Sequence, residues 1–368
     1  MRKIITLCLI LFFFNSGHII AQWSAVPFLR IAPDARAGGM GEGNCAIADN
    51  SAALYWNPAG LAFQYDNEMS FYYADWLPNL FLKDLYYNYG TLKYHFENEG
   101  ITLSASYFYL NYGEFPKNFY PYESAFTIGA GWKFTDEIAG GASIKNIRSV
   151  LFETYVDTSF ADTYSFDFGF LYKKNAPIFS LFAIPCYLST GMNLSDYGPQ
   201  VKYSGTPVAD PLPTNLRIGV ALTAIPSELF SLTYSIDFNR GLTRNRFHDE
   251  NKDGVFNSDD GDFTLPSDDL PKSLFTAWSD GSGLKSIKTA MGMECWFGKP
   301  RMIALRFGWF YEDPNYGARN FYTYGSSFIW ANRIRFDISY IETVIDDKFS
   351  PLQNTVRLTG AYIWNVQE

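Results

Sequence analysis

The chain has 368 residues, of which 18% are charged and 18% aromatic, with 26 Tyr and 33 Phe. A net charge of −9 argues against nucleic acid as a partner, because a phosphate backbone is met by basic surfaces. Beyond the first twenty-one residues no apolar stretch is long enough for a transmembrane helix. A membrane crossing is therefore left to a closed β-barrel, in which every backbone N–H and C=O is paired. The aromatic excess suits the two girdles where such a barrel meets the headgroups. A large secreted β-sandwich or propeller is the competing architecture on composition alone.

The chain opens on an export signal, residues 1–21. Arg2 and Lys3 form a positive start, Ile4 to Phe14 an apolar run, and Asn15 to Ala21 a more polar end closing on a small residue. Cleavage is expected between Ala21 and Gln22. The run is too short to span a bilayer, and Cys8 lies inside it behind the bulky Leu7, out of place for lipidation. Without Arg2 and Lys3 the 29 basic residues become 27, against 38 acidic ones, a net of −11.

Residues 22–66 lack strand periodicity and are rich in Gly, Ala, Asn and Asp. They read as a compact plug in or under the barrel. Gly38, Gly39 and Gly41 permit close backbone approach, and Asn57-Pro58-Ala59-Gly60 is a serviceable turn.

Residues 67–368 read as the barrel. Ile334, Phe336, Ile338 and Tyr340 alternate with Arg333, Arg335, Asp337 and Ser339, and Phe230, Leu232, Tyr234, Ile236 and Phe238 with Ser231, Thr233, Ser235 and Asp237. One face is lipid-like and the other small, polar or charged, the pattern of a transmembrane strand around an aqueous lumen. About fourteen such segments are expected, beginning near residues 68, 86, 101, 123, 138, 163, 186, 215, 229, 286, 301, 320, 333 and 355. Their connections alternate. Glu97–Gly100, Phe134–Glu137, Ile225–Glu228, Gly298–Pro300 and Ala331–Asn332 are tight, while Asn111–Tyr122, Leu151–Asp162, Asp196–Pro213, Arg240–Ser286 and Asp313–Arg319 are long. Short turns belong to the periplasmic rim and long loops to the outside, and an even strand number leaves both termini periplasmic. Lys173–Pro185 is the one long turn on the short-turn side.

Within the long loop 240–285, Asp249 to Asp260 fits a twelve-residue calcium loop. Asp249, Asn251, Asp253, Asn257 and Asp260 supply side-chain oxygens, Val255 a backbone carbonyl, and Gly254 the sharp turn. Asp at the twelfth position, and the lack of helical patterns on either side, favour a structural ion that stiffens an external loop over a helix–loop–helix sensor.

Nothing points to catalysis. After cleavage only His95 and His248 remain; His95 is expected at the membrane interface, and neither lies in a metalloprotease or serine-hydrolase motif. Cys45, Cys186 and Cys295 are odd in number and lack metal spacing. The inward charges Lys133, Lys145, Asp167, Arg217, Asp237, Glu294, Arg306 and Arg357 are expected to pair across the lumen.

The stretch Pro27-Phe28-Leu29-Arg30-Ile31-Ala32-Pro33-Asp34-Ala35-Arg36-Ala37-Gly38-Gly39-Met40-Gly41 resembles the N-terminal signature of the PorV family, outer-membrane components of the type IX secretion system. Trp56-Asn57-Pro58-Ala59-Gly60-Leu61-Ala62 resembles an element shared across the wider group of barrels like the fatty-acid transporter FadL. The resemblance implies a fourteen-stranded barrel in the outer membrane of a Gram-negative, Bacteroidetes-type cell. It also implies a role in moving folded cargo. The barrel would associate with a large translocon barrel, accept cargo through C-terminal signal domains, and pass it to the surface attachment (sortase) complex. A FadL-like channel for hydrophobic small molecules is the alternative on the same fold, and would show an apolar pocket beside the plug.

Overall fold

A computed structural model describes residues 24–80, 82–114, 119–153, 158–175, 184–204, 209–243, 246–248, 250, 263–265, 270–278, 283–299, 301–314, 316–344 and 350–366. The export signal and all six residues named for calcium, Asp249, Asn251, Asp253, Val255, Asn257 and Asp260, lie outside them.

Fourteen antiparallel strands close into one barrel. They are β1 (Asn67–Asp75), β2 (Leu85–Phe96), β3 (Ile101–Tyr112), β4 (Tyr122–Lys133), β5 (Ile138–Glu153), β6 (Thr158–Asn175) and β7 (Cys186–Tyr197). There follow β8 (Asn215–Ser227), β9 (Phe230–Gly241), β10 (Ile287–Phe297), β11 (Ile303–Tyr311), β12 (Asn320–Trp330), β13 (Ile334–Thr343) and β14 (Val356–Trp364). Each strand pairs with its sequence neighbours, and β1 pairs with β14 from Asn67↔Trp364 to Ala74↔Arg357, which removes both edges. The period-two pattern is what makes these segments strands. On β13, Phe336 and Ile338 are 57% and 46% exposed while Arg335, Asp337 and Ser339 between them are buried. The exposed apolar side chains face lipid.

Strand starts agree with the sequence pattern to within a couple of residues everywhere but at β6, which begins five residues early. The expected loop Leu151–Asp162 is instead a continuation of the β5–β6 hairpin, running through a bulge at Val150/Phe152 to Glu153↔Thr158. A partner makes this extension worthwhile. Phe160 exchanges hydrogen bonds with Ser204, and the Tyr203 hydroxyl donates to Ser149. The later loops also carry structure. Val201–Lys202 pairs with Ala209–Asp210. Arg246–His248 pairs with Phe263–Leu265, ahead of a helix, Leu270–Thr276.

The N-terminal segment fills the lumen instead of leaving it aqueous. It contains α1 (Ala35–Gly38), α2 (Ala53–Trp56) and 3-10 turns at Pro27–Arg30 and Pro58–Phe63, with Phe28, Met40, Leu54, Trp56 and Leu61 almost fully buried. It enters at the long-loop end, where the Ala25 N–H donates to the Pro211 carbonyl. It leaves at the short-turn end, where Gln64 and Asp66 accept from Lys93 on β2.

Two expectations about side chains change with this filling. His95 is turned inward, not toward the membrane interface: it is buried, with Nδ1 2.9 Å from the Thr102 hydroxyl and its backbone N–H donating to Asn67. The inward charges do not pair across open space. They meet neighbouring strands or the plug, because the plug occupies the gap.

Candidate functional site

The site is the seam between plug and wall, and it starts from two short helices that could not hold their shape alone. Asp34 caps α1, accepting from the Ala37 N–H at 3.1 Å. Its other oxygen accepts from the Trp56 indole at 2.6 Å, which ties the Pro33-Asp34-Ala35-Arg36 stretch to α2. Burial pushes the Asp34 carboxyl above its ordinary value in spite of these two donors. Asn57 plays the matching role for the second motif. Its carbonyl accepts from the Ala59 N–H, and its amide donates to the carbonyls of Cys45 in the plug and Phe170 on β6, each at 3.0 Å.

Arg36 carries the main electrostatic link. Its guanidinium grips both Glu294 oxygens at 2.8 Å from β10 and bonds Asp49 within the plug. Burial works to lower the pKa of Arg36, but Asp49 and Glu294 outweigh it and hold the group well above its usual range. For Asp49 burial works upward and is outweighed by Arg36 and Lys173, so its pKa is lowered. From Glu294 the charges alternate around the wall. Arg306 bonds Glu294 at 2.7 Å and lies 3.5 Å from Asp337. Arg335 joins Asp337 at 3.0 Å to Glu68 at 2.7 Å. Glu68 also takes the plug's Ser51 hydroxyl and lies 4.0 Å from Lys93, which closes on Asp66. Elsewhere the Asn44 and Cys45 N–H groups both donate to Asp237 at 2.8 Å, and Arg357 bonds Glu42 at 2.7 Å. Each such bond is charge-assisted, and those to the buried Glu294, Asp337, Glu68 and Asp237 lie in a dry setting, where losing a partner costs more than making the bond gains.

Close approach is provided by glycine on both surfaces. Gly39 lies over the Cα of Gly325, and Gly41, at φ +64°, runs against the backbone of Met291 and Trp309. Beneath Met40 and Gly41 are Gly292 and Gly308, paired across β10 and β11. On the far wall Gly131, Gly141 and Gly169 sit side by side on β4, β5 and β6, under Pro58, Ala59 and Leu61. Gly38 packs on Ser339 and Arg357, and Gly60 on Ala48. Pro33, Asp34, Arg36, Gly38, Gly39, Met40, Gly41, Asn57, Pro58, Ala59 and Gly60 are all buried. The wall glycines are the part that sequence reasoning missed. Their signal is glycine at inward positions of adjacent strands, where a strand ordinarily avoids it unless another backbone approaches closely.

Chemically the seam is suited to holding. The Cys45 thiol is pushed well above its usual range, chiefly by burial and then by Asp237, so it is no thiolate nucleophile. Cys186 is buried on β7, and none of Cys45, Cys186 and Cys295, the cysteines among the described residues, is in a disulfide. Above the plug is a cavity of about 50 Å³ lined by Arg30, Glu42, Lys145, Asp196, Arg217, Lys288 and Arg319 among others. A second, of about 10 Å³, lies between Leu29, Leu54, Tyr89 and Phe108. The first holds a few waters or a small ion, and the second no more than one water.

A family model described as type IX secretion system protein PorV matches residues 16–245. A search of the curated proteins found no match. Among solved structures, the deltaS2 mutant of the TodX monoaromatic hydrocarbon channel has a TM-score of 0.51 at 12% identity, over 91% of this chain and 99% of that one. The toluene transporter TodX of Pseudomonas putida gives 0.47 at 12% identity, over 90% and 97%. A FadL homologue of Pseudomonas aeruginosa gives 0.48 at 10% identity, over 90% and 98%. At 12% identity the likeness to the first of these is one of fold.

Proposed function

The chain belongs to the PorV family of type IX secretion system proteins, an outer-membrane component of protein export, and from that premise we propose that it is a cargo carrier. In this reading its external loops, chiefly Asn111–Tyr122, Asp196–Pro213 and Arg240–Ser286, bind the C-terminal signal domains of secreted proteins. The barrel receives them from a translocon barrel and delivers them to the surface attachment complex. The family match, which takes in the plug and the first nine strands, is the observation that carries the reading. The seated plug supports it: Arg36, Glu294, Asp237 and Asn57 are all engaged in holding plug to wall, which leaves the external loops as the surface for a protein partner. We further propose that calcium occupies the 249–260 loop and stiffens the longest of these loops.

The FadL-like alternative calls for an apolar pocket beside the plug. The two cavities described there are too small for an acyl chain or an aromatic ring, and the larger is lined by charge.

The test is a mild-detergent pull-down of tagged protein from its own outer membrane, with bound partners identified by mass spectrometry. Recovery of a giant translocon barrel, or of secreted proteins sharing a C-terminal domain, is the expected result. A barrel recovered alone with acyl chains bound would overturn it in favour of hydrophobic transport.

A further inference from the structure

The roughly 50 Å³ cavity above the plug has more positive charge than its carboxylates can answer. Lys145 is matched by Asp167 at 2.9 Å and by Asp196. Glu42 is taken by Arg357. A single carboxylate, Glu312, serves both Lys288 at 2.9 Å and Arg319 at 2.7 Å. That leaves two guanidinium groups over. Arg217 donates to the Asn239 amide oxygen and the Trp56 carbonyl, and stacks 4.6 Å from the Trp56 ring centre, with no ion-pair partner among the described residues. Arg30, on the last residue of the first plug turn, has no ion pair among them either, and its Nη2 is buried without a hydrogen-bond partner.

Arg30 and Arg217 are half-buried, but the Arg30 Nη2 is itself buried, and a charged donor buried without a partner carries the desolvation penalty of that group. Burial pulls the Arg30 pKa below its ordinary value, but a guanidinium stays protonated at neutral pH, so proton loss does not relieve the site. The group is also held in place by its surroundings: Tyr55 fixes the backbone next to it, donating to the Leu29 carbonyl at 3.1 Å. Arg319, whose side chain is 32% exposed, marks the way in from the long-loop end.

We propose that this cavity is a binding site for a small oxyanion, a carboxylate or phosphate group, held between Arg30 and Arg217 with Arg319 and Lys288 at the entrance. Planar guanidinium forks suit such a group geometrically, and the cavity volume admits the head of a ligand but not a chain behind it. The ligand enters from outside the cell. The site goes beyond the secretion reading and does not depend on it.

The experiment is isothermal titration of the purified, detergent-solubilised full-length protein with inorganic phosphate and, separately, with acetate, at constant ionic strength against chloride. Saturable binding of at least one is expected. Tighter phosphate binding identifies a tetrahedral ligand, and tighter acetate binding a carboxylate. Arg30→Gln is expected to weaken binding about tenfold or more. If that variant fails to fold, Arg319→Gln carries the same test, because Glu312 keeps Lys288 as its partner. Lys299→Gln, on the opposite rim beside Glu228, should bind as the parent does. The proposal is overturned if neither anion saturates below roughly 10 mM, or if Arg30→Gln and Arg319→Gln both bind as tightly as the parent. An equal loss in Lys299→Gln would likewise overturn it, as non-specific attraction.

Discussion

If the glycine rows exist to let plug and wall backbones touch, one methyl group in the right place should loosen the plug and the same methyl elsewhere should do nothing. Gly308→Ala places a Cβ against the Gly41 nitrogen and the Met40 carbonyl carbon, and Gly141→Ala places one against the Ala59 nitrogen and the Pro58 carbonyl. In both cases the obstacle is backbone, which cannot swing aside as a side chain can. Overpacking of this kind costs about 1–3 kcal/mol, and a backbone obstacle puts these sites at the upper end, near 3 kcal/mol. For a chain of this size that corresponds to a drop of roughly 4 °C in melting temperature. Gly90 and Gly360 are the controls. Both are strand glycines that flank Phe71 in register, and an added Cβ there meets nothing within 4 Å. Their alanine variants should melt within about 1 °C of the parent, or slightly higher, since alanine lowers the entropy of the unfolded chain. Barrels unfold irreversibly, so all five proteins are compared at one scan rate in one detergent. Planar-bilayer conductance gives a second readout: a displaced plug opens a conducting path that the parent lacks. The reasoning fails if Gly308→Ala and Gly141→Ala melt and conduct like Gly360→Ala.

Other parts of the seam give sharper or softer responses. Arg36→Ala should destabilise by about 2–4 kcal/mol, below the usual cost of stranding a buried charge because Glu294 keeps Arg306 at 2.7 Å, and this is read as a lowered melting temperature in differential scanning calorimetry at the same scan rate. Asn57→Ala strands the Cys45 and Phe170 carbonyls and the Ala59 N–H, and should cost about 2–4 kcal/mol by the same assay, with Asn57→Asp failing to restore the two donated bonds. At the external rim, burial works to raise the Glu312 pKa, but Arg319 and Lys288 outweigh it and hold the group at about 2. A depressed carboxylate stabilises above its unfolded pKa near 4.5 and loses that contribution as pH falls toward about 2. The melting temperature of Glu312→Gln should therefore fall less than the parent's between pH 6 and pH 3. For the 249–260 loop, a calcium chelator should lower the melting temperature of the parent and leave Asp253→Ala unmoved; equal shifts in both would remove calcium from the account.

Strand pattern and plug were legible in the sequence for different reasons. A lipid-facing strand must repeat every second residue, so β13 shows its two faces within ten positions, Arg335 and Asp337 against Phe336 and Ile338. That rule is local and needs no partner. The plug motifs were visible through their composition, and Asp34 and Asn57 are helix and turn caps that sequence can suggest. What they hold could not be read. Arg36 meets Glu294 across 258 positions, and Arg335 meets Glu68 across 267. No periodicity relates such residues; the seating of the plug brings the first pair together, and barrel closure, which sets β1 beside β14, the second. The early start of β6 has the same origin, since what lengthens the hairpin is Ser204, from a loop some forty residues further on.

The wall glycines show how far a local rule reaches before it misleads. On alternation alone Gly292, Gly308 and Gly325 count as small inward residues, compatible with water in the lumen. Their register says otherwise. Gly292 is paired with Gly308, Gly308 lies beside Thr323, and Gly325 lies beside Arg306, so the missing side chains form a continuous shallow track under Gly39, Met40 and Gly41. Water would not need such a track, and isolated glycines would weaken the strands for nothing. A row matched by glycines on the plug is explained only by backbone lying on backbone. The Thr323 hydroxyl, accepting from the Gly41 N–H at 2.9 Å, fixes the register of one surface on the other. The lumen along this track is therefore built to be filled by the plug.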